Sequence, residues 1–128
     1  MDIDKDLVAA SATPLVLAIL SEGENYGYAI IKRVSELSGG ELQWTDGMLY
    51  PLLHRLERNG YVESFWAESE SGRQRKYYRL TRAGSEQLDR QRRQWQIVDK
   101  TMKGILSLAV DPAGGGRLVC PDMRGVTG

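Results

Sequence analysis

The stretch from Thr45 to Gly60 holds both the start and the stop of one short helix, and the rest of the chain has to be built around it. Thr45 is suited to an N-cap, because its hydroxyl can accept from the free amides of a first turn, and Asp46 suits the positive end of the helix dipole. Asn59 and Gly60 tolerate the left-handed backbone that ends helices. Between these signals Leu49, Leu52, Leu53 and Leu56 recur at the spacing of a single helical face, which must be buried. The opposite face carries Gly47, Met48, Tyr50, Pro51, His54, Arg55 and Arg58. Pro51 lies past the first turn, where it removes a backbone hydrogen bond and is expected to kink the helix. A helix with a slim amino end and cations further along can enter a DNA major groove while its arginines reach phosphate.

The segments before it supply a partner helix and a connection. Residues 1–12 read as an arm or short helix with one apolar side, made of Ile3, Leu7 and Val8. Thr13 and Pro14 then read as an N-cap followed by proline at the first helical position. The next residues, Leu15 to Leu20, are apolar nearly all round, as befits a helix at the centre of a core. Asn25 is a candidate cap for a second helix through Leu37, with Ile30, Ile31, Val34 and Leu37 on its buried stripe. Gly27 near its start implies a close approach by a neighbouring element. Ser38 to Gly40 end that helix, and Trp44 reads as an apolar plug before Thr45. Helix, helix, short connection, helix is the layout of a helix-turn-helix unit.

After Gly60 the pattern changes from helical to alternating. Tyr61 to Glu68 and Gln74 to Leu80 are rich in strand-forming residues and are separated by a turn at Ser69 to Arg73, which predicts a β-hairpin. Alternation places Tyr78 and Leu80 inward. Arg73, Arg75, Lys76 and Arg79 give the return strand a positive character, with no acid between Glu70 and Glu86. Such a wing can lie along a phosphate backbone or reach into a minor groove. Thr81 next caps a long helix from about Arg82 to about Ala109, where Asp111-Pro112 stops it. In it Leu88, Trp95, Met102 and Ala109 recur every seven residues, with Val98 and Ile105 between them and Gln91 interrupting the seam. A stripe of that length calls for a second copy of the chain. The glycine-rich remainder lacks periodicity and reads as a disordered tail.

Three runs, Asn25-Tyr26-Gly27-Tyr28, Gly47 to Glu57 and Gly72 to Gly84, together resemble the PadR family of bacterial transcriptional regulators, over roughly Leu7 to Leu108. The resemblance implies an N-terminal winged helix-turn-helix, a C-terminal dimerisation helix, and repression of a nearby promoter relieved by a small molecule. The family usually has threonine where this chain has Met48, which can donate no hydrogen bond to phosphate or base. The expected fold is therefore mainly α with a small β-hairpin. Residues 1–82 would form a winged helix-turn-helix with an N-terminal arm, 83–110 a dimerisation helix and 111–128 a disordered tail.

Composition removes several other classes. Cys120 is the one cysteine and His54 the one histidine, so a thiolate metal cluster or a Cys-His hydrolase is not expected, nor any cofactor. Neither a charged-then-apolar leader nor an apolar run of roughly 18 residues is present, and a soluble, cytoplasmic protein that avoids membranes is expected. Formal net charge is zero. It is unevenly spread, with three basic and eight acidic residues from Met1 to His54, and twelve basic and seven acidic from Arg55 to Lys103. A basic half can bind phosphate locally.

The functional expectation is a homodimeric repressor on double-stranded DNA with a pseudo-palindromic operator. Tyr50 and His54 would meet the bases on a face that includes Gly47, Met48 and Pro51. Thr45, Arg55 and Arg58 would serve phosphate, and Arg73, Arg75 and Lys76 the wing contact. Leu88, Trp95, Val98, Met102 and Ile105 would form the dimer seam, with Trp95 offering a platform for a small aromatic inducer. Two rivals stand beside this: a winged-helix protein-interaction module, favoured by the zero net charge, and an enzyme, for which no phosphate loop or nucleophile-base pair speaks.

Overall fold

The structure is a computed structural model that describes residues 2–109. Its elements in order are α1 (Lys5–Ser21), β1 (Asn25–Tyr26), α2 (Gly27–Leu37), α3 (Asp46–Arg58), β2 (Val62–Glu68), β3 (Gln74–Leu80) and α4 (Arg82–Ala109). The chain divides into two units, with the boundary inside α4 between Gln91 and Arg92. The expected disorder of 111–128, and Cys120 with it, lies outside the described residues.

One core serves the first unit. Val16 and Leu17 of α1, Ile30 and Val34 of α2, and Leu49 and Leu53 of α3 are almost wholly enclosed, together with Val62 and Tyr78 from the sheet. Trp44 closes the α2–α3 connection from inside, 5 % exposed, as its place before the helix suggested. Tyr78 is the inward tyrosine of β3, as alternation required.

Two expectations are corrected at the amino end. Helix α1 begins at Lys5, not at Thr13: Asp4 caps it by accepting from the Asp6 amide at 2.9 Å, and Pro14 lies in its interior. An interior proline costs about 3 kcal/mol, but Ala12, Val16, Leu17, Ile19 and Leu20 are all buried by keeping the helix continuous, which offsets it. Asn25 does not cap α2. It is paired as a strand residue with Tyr78, and its Oδ1 accepts from the Tyr26 amide. The wing is thus a three-stranded antiparallel sheet in the order β1-β3-β2, with Tyr26 opposite Tyr77.

The sheet is tied to α3 and α4 by polar contacts at its inner end. Glu57 of α3 accepts from the Ser64 hydroxyl at 2.6 Å. Gly60 takes a left-handed conformation (φ +80°) that turns the chain out of α3, and the Tyr61 amide donates back to the Leu56 carbonyl. Thr81 closes the far side: its amide donates to the Tyr61 carbonyl, and its hydroxyl donates to the Gly60 carbonyl at 2.6 Å and accepts from the Gly84 amide at 3.0 Å. These bonds fix the angle at which the wing leaves the helices.

Candidate nucleic-acid interface

Helix α3 has the polarity that its sequence demanded. The Thr45 hydroxyl caps it, accepting from the Met48 amide at 3.3 Å, and the helix runs through Pro51 to Arg58 without a break. Thr45, Gly47, Pro51, His54, Arg55 and Arg58 are exposed, and the two arginines occupy the last turn, where the negative end of the dipole favours them. Met48 and Tyr50 differ from the others. Both are half-buried and pack against the core, so each offers only part of its surface to a partner. The Tyr50 ring lies so close to Gly27 that a Cβ there would come within 2.7 Å of its ring carbon Cζ, which explains the glycine at the start of α2.

The wing presents its cations in three different states. Arg73 is exposed in the turn, next to Gly72, whose left-handed φ of +84° lets the chain reverse. Arg75 and Lys76 are half-buried and lie over aromatic rings: the Arg75 guanidinium 4.6 Å from the centre of Tyr26, the Lys76 ammonium 5.9 Å from that of Tyr78. The Arg75 Nε is enclosed without a hydrogen-bond partner. Arg79 is committed elsewhere, bonding Glu63 at 2.7 Å while stacking on Phe65 at 4.5 Å. It adds little to the field at the wing, where the carboxylates Glu68 and Glu70 are also exposed. The positive charge open to a polyanion is therefore Arg73, Arg75 and Lys76 rather than the whole strand.

Between sheet and helix lies a cleft of about 320 Å³. Tyr50 and His54 form its helical wall, and Gln74, Arg75 and Lys76 its strand wall, with Tyr26 and Tyr78 beside them. Four of the residues picked from the sequence, Tyr50, His54, Arg75 and Lys76, are thus brought to one place. Thr45 and Met48 instead line a separate hollow of about 650 Å³ against Ile3, Lys5 and Val8 of the amino end. Arg55, Arg58 and Arg73 lie outside both. Sequence reasoning missed Trp66, which joins the cleft opposite Lys76 and is 67 % exposed. Strand alternation put it on the face of Val62 and Ser64, but nothing local showed that α3 would stop short of covering it. Among the described residues no cluster of three His, Cys, Asp or Glu side chains is placed to hold a metal ion.

Of the expected seam residues, Leu88 is corrected. It is 5 % exposed in the core of its own chain, because the first turns of α4 belong to the first unit. Further along, Trp95 is half-buried, whereas Val98, Met102 and Ile105 are about half exposed, as is Leu106 nearby, and Ile97 is about two-thirds exposed.

A capped helix open on one face, a basic wing beside it and a cleft between them define a winged helix-turn-helix. The model of the transcriptional regulator PadR-like family matches residues 16–90, and the chain belongs to that family. Among solved structures, it is similar to a PadR-like transcriptional regulator from Bacillus cereus, with 28 % identity and a TM-score of 0.72 over 80 % of this chain and 97 % of that one. A PadR family transcription regulator from Clostridium difficile is 32 % identical, with a TM-score of 0.66 over 75 % of this chain and 98 % of the other. The transcriptional regulator YqjI of Escherichia coli is 29 % identical over 70 % of this chain, which spans 41 % of that longer protein. The family is one of DNA-binding transcriptional regulators rather than enzymes, and no helix among the described residues is long and apolar enough to cross a membrane.

Proposed function

We propose that the protein is a sequence-specific repressor that binds a pseudo-palindromic operator as a homodimer and is released by a small aromatic molecule. The observation that carries the DNA contact is the cleft, which sets the α3 residues Tyr50 and His54 beside the wing cations Arg75 and Lys76. With α3 in a major groove, His54 reaches base edges, Arg55 and Arg58 reach phosphate, and Arg75 and Lys76 meet the neighbouring backbone. The exposed stripe of Val98, Met102 and Ile105 supports dimerisation, since an apolar row of this kind is stabilised when a second copy covers it. The part of α4 beyond Gln91 then acts as the dimerisation helix, and half-sites lie about one helical turn, roughly 34 Å, apart. Trp95 supplies the platform for the inducer, and such work places the protein in the cytoplasm.

The test is selection of genomic DNA fragments by the purified protein at physiological salt. Recovery of a few fragments that share an inverted repeat near promoters is the expected result. Recovery without any common sequence favours the protein-interaction module that the zero net charge would suit. Release by an inducer is tested on the recovered operator, together with Trp95 fluorescence in a variant lacking Trp44 and Trp66. Aromatic compounds that quench Trp95 should also dissociate the complex, and silence across a broad panel removes Trp95 from the scheme.

A further inference from the structure

An exposed tryptophan beside a cationic strand is an unusual use of the largest apolar side chain. Trp66 pairs directly with Lys76 across the hairpin, and the same face continues inward through Ser64 opposite Tyr78 and Val62 opposite Leu80. Val62 and Tyr78 are sealed in the core. Two residues further out the face is uncovered, and the indole stands in the cleft rim across from Tyr50 and His54. Glu68 follows on the same side and bounds the patch, because a carboxylate there repels phosphate.

We propose that Trp66 is a specificity-determining residue that reads the DNA minor groove next to the major groove occupied by α3. This rests on the operator-binding reading above and adds a base preference to it. The minor groove is about 6 Å wide, so it admits an aromatic ring edge-on against its sugar walls, and the narrow groove of A·T-rich DNA holds it best. Its floor at A·T and T·A pairs shows only acceptors, adenine N3 and thymine O2, whereas a G·C pair adds the guanine amino donor. The indole N–H is a donor without acceptor capacity. It therefore matches A·T pairs and meets a like group at G·C. Lys76, directly across the strand pair, holds the flanking phosphate and sets the depth of entry.

The experiment uses the full-length protein and an operator fragment recovered by genomic selection. Adenines in the pairs facing the wing are replaced by 2,6-diaminopurine, which adds the minor-groove amino group and leaves the major-groove edge of adenine unchanged. The wild-type protein should lose about tenfold in affinity, as for a mismatched base pair. Trp66→Ala should bind the natural operator about tenfold more weakly and be indifferent to the diaminopurine. Trp66→Phe, which keeps the apolar edge without the N–H, should fall between. A Trp66→Ala protein with wild-type affinity, or with undiminished sensitivity to the diaminopurine, overturns the assignment while leaving operator binding intact. Failure of the wild-type protein to retain any common fragment overturns both together. The side chain is two-thirds exposed, so thermal unfolding of the variants should match wild type and separate a lost contact from a lost fold.

Discussion

Gly27 begins α2 where the Tyr50 ring comes closest, and an added methyl group would collide with the phenol's hydroxyl and Cζ. The phenol is the tip of a side chain that can rotate away, but only by leaving the cleft wall it forms with His54. Gly27→Ala should therefore cost about 1–3 kcal/mol in urea unfolding, the range for an overpacked site, and should also weaken operator binding. Tyr50→Ala removes the obstacle, so the two substitutions should combine to less than their sum by at least about 0.5 kcal/mol. Strict additivity would mean that the two residues do not constrain each other. Tyr78 gives a second test at this scale. Its phenol is held above the ordinary tyrosine range, first by burial and then by the electrostatic influence of Glu57 and Tyr50. The folded state thus keeps its proton longer than the unfolded chain does. Stability from this group is complete below about pH 10 and is lost as the pH rises from there through the folded value. Tyr78→Phe should flatten the decline of stability above pH 10, and a decline as steep as in wild type would show that Tyr78 does not govern it.

Thr81 and Gly84 join three elements, because α3's exit, the start of β2 and the start of α4 converge on the carbonyls of Gly60 and Tyr61. A Cβ on Gly84 would fall on the Tyr61 carbonyl oxygen, a backbone atom already engaged by the Thr81 amide and unable to swing aside. Gly84→Ala is expected to cost about 3 kcal/mol, the upper end for overpacking, visible as a lower urea midpoint; an unshifted midpoint would show that this junction is loose. The sequence pattern did not reveal this contact, since it depends on the meeting of residues more than twenty positions apart. The same reason hid β1. Asn25 and Tyr26 have ordinary capping and aromatic chemistry, and only their pairing with Tyr78 and Tyr77 makes them a strand. Local signals were enough where the cause is local: the Thr45 cap and Gly60 turn bound α3, and the spacing from Thr81 to Ala109 bounds α4. Pro14 misled because burial of the whole of α1 outweighs one lost hydrogen bond. In the candidate site the residue types on α3 and β3 were legible, but which cations remained available was not. Glu63 takes Arg79, and that pairing depends on strand register.

A chain with no net charge can bind DNA only if its cations are concentrated where the phosphates pass, so the response to salt separates the wing contact from a general attraction. Arg75→Ala with Lys76→Ala should lower the slope of log affinity against log salt by about 2 for each wing engaged, and so by about 4 for a dimer on two half-sites, close to one unit per released counterion. Arg79→Ala is the control: its charge is matched by Glu63, so the slope should stay unchanged. A fall with Arg79→Ala as large as with the pair would mean that overall charge, not the wing's geometry, governs binding. The proposed operator engages two wings and so two chains, which brings in the far part of α4. Met102 lies in the row of Val98 and Ile105 and is half exposed. In the proposed dimer, Met102→Glu would place a carboxylate in the seam between the two chains, and desolvating an unpaired charge there costs several kcal/mol. Sedimentation at micromolar concentration should show a dimer for wild type and a monomer for Met102→Glu, with helical content kept. On a two-half-site operator the variant should bind each half independently, with a salt slope about half that of the dimer, because each event then releases the counterions of one wing and one α3. A variant that remains dimeric would move the interface off this row and leave Trp95 without the enclosed platform an inducer needs.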